Sequence, residues 1–313
     1  MADPIDQQFV RILEQARRPG GLSCARELVA DYRREVAANC LVYGHRNVMK
    51  KLLRHAGHVP REQVRVLDYG CGVGATAFSL LALGYLDTYG VDLHPMAEQN
   101  RIARELFGVE GDRFFQYDGL TLPFPSGVFH FIYSEQVLEH VKADYLHAYY
   151  REGARVLAPG GACLHQVPHR SIPYDSHSQT WLIHYFPRAL RRRLYAMIGR
   201  DAAYLDELLS FRSPGFHLRM LGRYYDRYED VTLERVLDYN PTQFYDGPQR
   251  LRNLLHAFMR RPVLRRLIAP LLRYGVMLDT LAFRNGSAIG AGPGPCAWDA
   301  AETVNANADR EQC

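Results

Sequence analysis

Between residues 64 and 168 the chain alternates short apolar runs with stretches of helical periodicity. Val64, Val66 and Leu67 give a β-branched and apolar run, the pattern of a buried strand. Ala75 to Leu83 then carries helix formers around an apolar face, and Gly84 is placed to end that helix. The same reading predicts strands over 87–93, 114–119, 129–134 and 162–167, a helix over 135–141, and a further helix closed by the turn Pro159-Gly160-Gly161. Strands that alternate with helices predict an open, mostly parallel α/β sheet.

The flanks read differently. Residues 1–60 are predicted to be helical, with Ser23 as a cap for a helix carrying Leu28, Tyr32, Val36, Cys40 and Tyr43 at helical spacing. Residues 168–187 mix Pro and Ser with a high density of aromatic and His side chains, the composition of a functional loop rather than a plain connection. Residues 188–200 predict a basic helix, 228–236 a sixth strand, 248–274 Arg-rich helices broken at Pro262 and Pro270, and 277–284 a last strand. The domain reading is a leading helical segment over 1–60, a main domain over 61–285 with an insertion at 247–275, and a tail over 286–313. The Gly, Ala, Asn and Pro content of that tail predicts no fixed structure.

The strand-to-helix turn Asp68-Tyr69-Gly70-Cys71-Gly72-Val73-Gly74 is the centre of the functional reading. Glycines permit positive φ and close approach of a ligand, and the helix N-terminus behind them presents free N–H groups. A dinucleotide fingerprint places its glycines at the first, third and sixth positions. Here the third arrives one residue early, and Asp68 stands where a pyrophosphate would bring negative charge. A ligand with a cationic part fits better. With these residues the chain resembles the class I S-adenosylmethionine-dependent methyltransferases, whose first signature is an acid, a spacer and three alternating glycines.

That resemblance implies a Rossmann-like doubly wound sheet with an antiparallel last strand, a helical N-terminal lid and a helical C-terminal insertion. It implies S-adenosyl-L-methionine as cofactor, held by Asp68, Gly70, Cys71, Gly72 and Gly74 at the turn. Asp92 falls at the strand end where a ribose diol needs an acceptor, with Leu93 beside it. The resemblance gives Asp118 to the adenine amine, Leu93 and Leu120 to the adenine faces, and adds Gly119 and Ser134, at the ends of the third and fourth strands, to the cofactor site. Tyr32, Asn39 and Tyr43 are lid candidates, with plain packing as the stronger reading. The expected reaction is methyl transfer to a small-molecule or saccharide-like (glycan) acceptor, at oxygen. A non-catalytic cofactor-binding subunit and an N- or C-methyltransferase are the alternatives, and a nicotinamide oxidoreductase on a related sheet is the rival from another class.

An alcohol acceptor benefits from a positioned base, most often His. Candidates at the fourth and fifth strand ends are Glu135, Glu139, His140, His165 and His169, with His169 preferred, His140 and Glu135 next, and Glu139 with His140 in a Leu-Glu-His-Val pattern that more often supports such sites. The histidines at 165, 169, 177 and 184 invite a metal reading, but metal clusters usually add carboxylate or Cys at tight spacing, and the metal-assisted members of the resembled family place an Asp just after the fourth strand where this chain has Ser134 and Glu135, so no metal is expected. A net charge of +4 and the absence of any nucleic-acid module argue against a nucleic-acid partner. Six cysteines without paired spacing read as free thiols of a reducing, cytoplasmic compartment, and an acidic start argues against an export signal. The Arg clusters at 260–273 are compatible with a membrane surface, but a solvated face over a packed apolar stripe is the expected arrangement. Nothing in the sequence fixes an oligomeric state.

Overall fold

The computed structural model describes residues 4–41, 45–175, 177–203, 210–238 and 249–286. Three leading helices, α1 (Pro4–Arg17), α2 (Leu22–Asn39) and α3 (Arg46–Ala56), precede the alternating core. That core runs β1 (Val66–Tyr69), α4 (Ala75–Ala82), β2 (Thr88–Asp92), α5 (Ala97–Phe107), β3 (Phe114–Gln116), β4 (Phe129–Glu135), α6 (Leu146–Val156) and β5 (Leu157–Val167). A two-stranded ribbon, β6 (Tyr174–Asp175) with β7 (Thr180–Trp181), occupies the predicted loop, and α7 (Arg188–Met197) follows it. Then come α8 (Pro214–Tyr224), β8 (Arg227–Asp230), α9 (Thr232–Leu237), α10 (Gln249–Met259), α11 (Pro262–Gly275) and β9 (Leu278–Phe283).

The main sheet has seven strands in the order β3-β2-β1-β4-β5-β9-β8. β9 runs antiparallel to both neighbours, and the pairs from β3 through β5 are parallel. This is the doubly wound sheet expected. The order reverses between β1 and β4, so the crevice at their carboxyl ends is the topological switch point where such sheets bind ligands.

All four residues of β1 are buried, because helices cover both faces. Strand positions alternate between two cores. Val66, Phe131, Tyr133, Leu164 and Leu281 pack with residues of α1 through α5. Leu67, Tyr69, Ile132, Cys163 and Ala282 pack with Tyr149, Tyr150, Met220 and Leu221. The leading helices therefore share a continuous core with one face of the sheet.

Several predicted elements differ from those found. Residues 135–141 form no helix: Glu135 ends β4, Gln136 takes φ 54, and hydrogen-bonded turns follow. The apolar residues there serve separate contacts instead of one helical face, with Val137 against Gly70 and Leu138 in the second core. Ser23 lies one residue inside α2, whose cap is Gly21. Of the predicted sixth strand, 228–236, only 228–230 is extended, as part of β8, and β8 lies outside β9, so the last strand is not the edge of the sheet. α11 continues through Pro270. It also leaves Val263, Leu267, Leu271 and Tyr274 between 53% and 72% exposed, where packing was expected. The predicted tail falls almost wholly outside the described residues.

Gly70 and Gly72 both have positive φ, +87° and +53°, but only Gly70 is crowded: an added Cβ would meet the Val137 methyls at 2.5 and 2.6 Å. Gly70→Ala is expected to cost about 2–4 kcal/mol from backbone strain plus overpacking, and Gly72→Ala, which faces open space, about 1–2 kcal/mol. Urea midpoints of the two variants check the ordering, and adding Val137→Ala should recover part of the Gly70→Ala loss only.

Candidate active site

The glycine turn is fixed by β2. The amides of Gly70 and Cys71 both donate to the Val91 carbonyl, at 2.9 and 3.0 Å, and the Gly74 amide donates to the Cys71 carbonyl at 2.8 Å. Gly74 caps α4 at φ +87°, and a Cβ there would press on Phe114 and Phe78 at 3.0 to 3.2 Å. Gly90, which the sequence reading passed over, is equally constrained: a Cβ would lie 2.7 Å from the Phe114 ring and 2.9 Å from Cys71 Sγ. A lone glycine inside a strand was the available signal for such close approach. Gly72 alone of the three turn glycines faces open space on its Cβ side.

The strand-end acids divide into solvated and buried. Asp92 accepts from the Gly72 amide at 2.8 Å and the Leu93 amide at 2.7 Å, tying the tip of β2 to the glycine turn. Asp118 is exposed and accepts from the Leu120 and Thr121 amides at 2.8 and 2.9 Å. Gly119 is bordered by Leu93 and by the Tyr145 ring. Leu93, Leu120 and Tyr145 are all exposed, leaving an apolar rim beside Asp118. The sequence reading missed Tyr145, which follows an irregular stretch and carried no motif.

Asp68 is buried, and burial pushes its carboxyl up to about 8, with Tyr133 and His45 opposing and Glu135 and Asp92 adding to the rise. Glu135, at the end of the neighbouring β4, rises to about 7 through burial, against the pull of His45 and Arg235 and with Asp279 and Asp6 pushing further. Burial and the adjacent acids also hold the Cys71 thiol protonated. Around this acidic pocket the leading helices supply His45, whose Nε2 lies 3.1 Å from Asp6 and whose Nδ1 lies 2.9 Å from the Thr76 hydroxyl. From the far side Asp279 is fully buried, accepts from Asn47 at 2.8 Å and pairs with Arg235 at 3.0 Å. His45, Asp6 and Arg235 carried no sequence signal. Asp279 did: an acid between Leu278 and Thr280 inside a central strand is unusual.

The other predicted residues are placed as follows. Ser134 is buried and hydrogen-bonded to the Tyr149 hydroxyl. His169 is buried, with Nε2 donating to the Val276 carbonyl at 2.9 Å and Nδ1 accepting from the Ser171 amide at 3.2 Å. Both ring nitrogens are thus committed to backbone, and burial lowers its pKa to about 4. This geometry makes His169 a strut for the loop rather than a base. His165 is a core residue, 3.3 Å from Cys163 Sγ, lowered to about 4 by burial. Tyr32 is buried and bonded to Ser79 at 2.8 Å, Asn39 donates to Glu35 within its own helix, and Tyr43 lies outside the described residues. The histidines at 165, 169, 177 and 184 do not assemble into one cluster. Glu139, His140 and His177 do, with one ligand atom of each within 4.8 Å of the others.

The methyltransferase domain family matches residues 32–206, more than half of the chain. The chain belongs to this family; the class I S-adenosylmethionine-dependent type, with S-adenosyl-L-methionine as cofactor, is what its glycine turn resembles. It is 28% identical over 138 residues to ajmaline N-methyltransferase of Rauvolfia serpentina, covering 41% of this chain and 46% of that protein. The chain thus spans about half the length of the curated relative it matches. Among solved structures it is similar to geranyl diphosphate methyltransferase in complex with the cofactor, at 19% identity and TM-score 0.43 over 80% of this chain and 88% of the other. It is also similar to an S-adenosylmethionine-dependent methyltransferase from Mesorhizobium loti, at 20% identity and TM-score 0.39 over 74% and 96% of the two chains. No helix among the described residues is long and apolar enough to cross a membrane.

The residues present fit that cofactor. An added Cβ at Gly72 would meet open space, and the buried Asp68 carboxyl two residues before the turn offers the negative charge that a sulfonium with an ammonium group needs. Without ligand, the raised acid makes its own test. A carboxyl whose folded pKa exceeds its unfolded value stabilises the protein at low pH, and that contribution fades as pH climbs through the folded value. Between pH 7 and 9 the ligand-free wild type should therefore lose about 1 kcal/mol more stability than Asp68→Asn. Chemical denaturation at the two pH values checks the difference, and equal losses would place the Asp68 titration elsewhere.

Proposed function

We propose that this chain transfers a methyl group from S-adenosyl-L-methionine to an oxygen of a small-molecule or saccharide-like acceptor. The observation that carries this reading is the placement of Glu135. It ends β4 next to the glycine turn, lies within electrostatic reach of Asp68, and titrates near neutrality. The bound cofactor supplies an electrophilic methyl group on a positively charged sulfur. The chain's contribution is to bind, align and dehydrate the two partners, because an in-line displacement depends chiefly on geometry and on exclusion of water. Asp68 offers negative charge to the cationic part, Asp92 an acceptor to the ribose, and Leu93, Gly119, Leu120 and Tyr145 an apolar rim to the adenine. The Glu135 carboxylate would take the proton of the acceptor hydroxyl. A base poised near the working pH is the efficient one. His169 positions the loop by holding it to the Val276 carbonyl, and His140 borders the acceptor side.

A second reading, an acceptor presented at an anionic membrane surface, is favoured by the exposed stripe of α11. Val263, Leu267, Leu271 and Tyr274 are flanked by Arg260, Arg261, Arg265 and Arg266, and no acidic residue occurs between 249 and 275. A helix with an apolar face and basic flanks lies in a lipid interface.

With cofactor labelled in its methyl group and a panel of hydroxylated acceptors, wild-type transfer should rise through about pH 7 as Glu135 ionises. Glu135→Gln should lose roughly 10²–10⁴-fold in kcat together with that rise, while an N- or C-acceptor preference would show as transfer insensitive to the substitution. For the membrane reading, the protein should float with phosphatidylserine vesicles at low salt and less at high salt. Failure to float under either condition would remove the surface-bound acceptor.

A further inference from the structure

We propose that Glu139, His140 and His177 form a binding site for a divalent first-row metal ion of the zinc type, with open coordination positions. Glu139 is 1% exposed, and neither of its carboxylate oxygens has a hydrogen-bond partner among the described residues. A buried carboxylate without partners is costly unless a cation or donor meets it. What faces it is a pair of imidazole nitrogens: Nε2 of His177 lies 3.7 Å and Nε2 of His140 3.8 Å from the same oxygen, Oε1. These separations are too long for hydrogen bonds. They are close to the spacing of ligand atoms around one ion, about 3.0–3.4 Å for metal–ligand bonds of about 2.0–2.2 Å, and closing by a few tenths of an ångström completes the fit.

The surroundings are built for ligation. His177 Nδ1 lies 3.3 Å from Asp175 Oδ1, so Nδ1–H donates to the carboxylate and the Nε2 lone pair is directed away from it, toward Glu139. Asp175 is itself buried and accepts from the His177 amide at 3.0 Å and from the Ser178 hydroxyl at 2.6 Å. A carboxylate behind a ligating histidine fixes its tautomer and orientation. The segment bearing the other two ligands is clamped as well. Arg212 donates to the Leu138 and Val141 carbonyls at 2.8 and 2.6 Å, and the Ser210 amide donates to the Glu139 carbonyl at 2.7 Å. Two imidazoles and one carboxylate suit zinc, manganese or iron better than magnesium, and three protein ligands leave room for a water or an exogenous oxygen. The His140 side chain is 33% exposed, which leaves the site open to solvent on one side. The metal site stands on these contacts alone; only its use, as a seat for the acceptor oxygen, rests on the methyl transfer proposed above.

The test uses the full chain, stripped of metal and titrated with Co2+ as a spectroscopic stand-in. Expected are visible ligand-field bands that saturate at one ion per chain, vanish on addition of Zn2+, and lack the charge-transfer absorption of a thiolate ligand. Glu139→Gln and His177→Ala should each weaken binding at least about tenfold, and Asp175→Asn about 10–100-fold through the orienting hydrogen bond. No saturable binding, a thiolate band, or affinity unchanged in the ligand variants would overturn the site. If those variants fail to fold, carbethoxylation of wild-type histidines mapped by mass spectrometry decides: Zn2+ should protect His140 and His177, and lack of protection overturns the proposal. Titration with S-adenosylmethionine in parallel separates the two readings, since metal binding without cofactor binding would sink the transfer reaction and leave the metal site standing.

Discussion

One carbonyl oxygen, that of Val91, receives the amides of both Gly70 and Cys71, and this shared bond sets the geometry of the crevice. It draws the chain across the end of β2 just where it leaves β1, so the turn must double back through left-handed conformations that glycine adopts without strain. With the turn held there, α4 starts at the switch point, Asp92 reaches the Gly72 amide, and Asp68 is sealed beneath. Val137, two residues past the end of β4, closes the arrangement by occupying the space that any side chain at position 70 would need.

The electrostatics follow from that enclosure. Asp68, Glu135 and Asp279 are acids in one buried neighbourhood, and each is raised by desolvation first. Left without a cation, such a pocket binds protons instead. His45, at the start of α3, and Arg235 of α9 oppose that rise from either flank, and in the reaction proposed above a sulfonium amino acid would bring further positive charge. The energetic strain of the ligand-free pocket and its affinity for a cation are thus two expressions of one arrangement.

The strands and the glycine turn were legible because both announce themselves over a few consecutive residues. Val66-Leu67, the glycine spacing, the acid ending β2 and the acid two residues past β3 are local patterns, and local patterns survive folding. The remainder depended on contacts between distant segments. Residues 135–141 look helical by spacing, yet Val137, Leu138 and the carbonyls held by Arg212 each answer to a different neighbour. His169 sits where a base belongs along the chain, and only the Val276 carbonyl, more than a hundred residues away, shows that its proton is already committed. Likewise the pairing of Glu139 with His177 joins the ends of β4 and the ribbon after β5, which no spacing rule connects. The exposed face of α11 went unseen because periodicity reveals that a stripe exists and not what covers it.

The position of β9 has a bearing on how the molecule is assembled. It lies between β5 and β8 although it is made after both, so β8 has nothing to pair with until some fifty later residues have been synthesised. Asp279, which rides on β9, arrives at the same moment, and with it the last wall of the acidic chamber. During synthesis the half-built sheet therefore presents β5 as a bare margin, Leu164 and Val167 included, and it is the late strand that shields this margin from neighbouring chains. Changes in β9 away from Asp279 should consequently be felt more in the yield of soluble protein than in the affinity of the finished one.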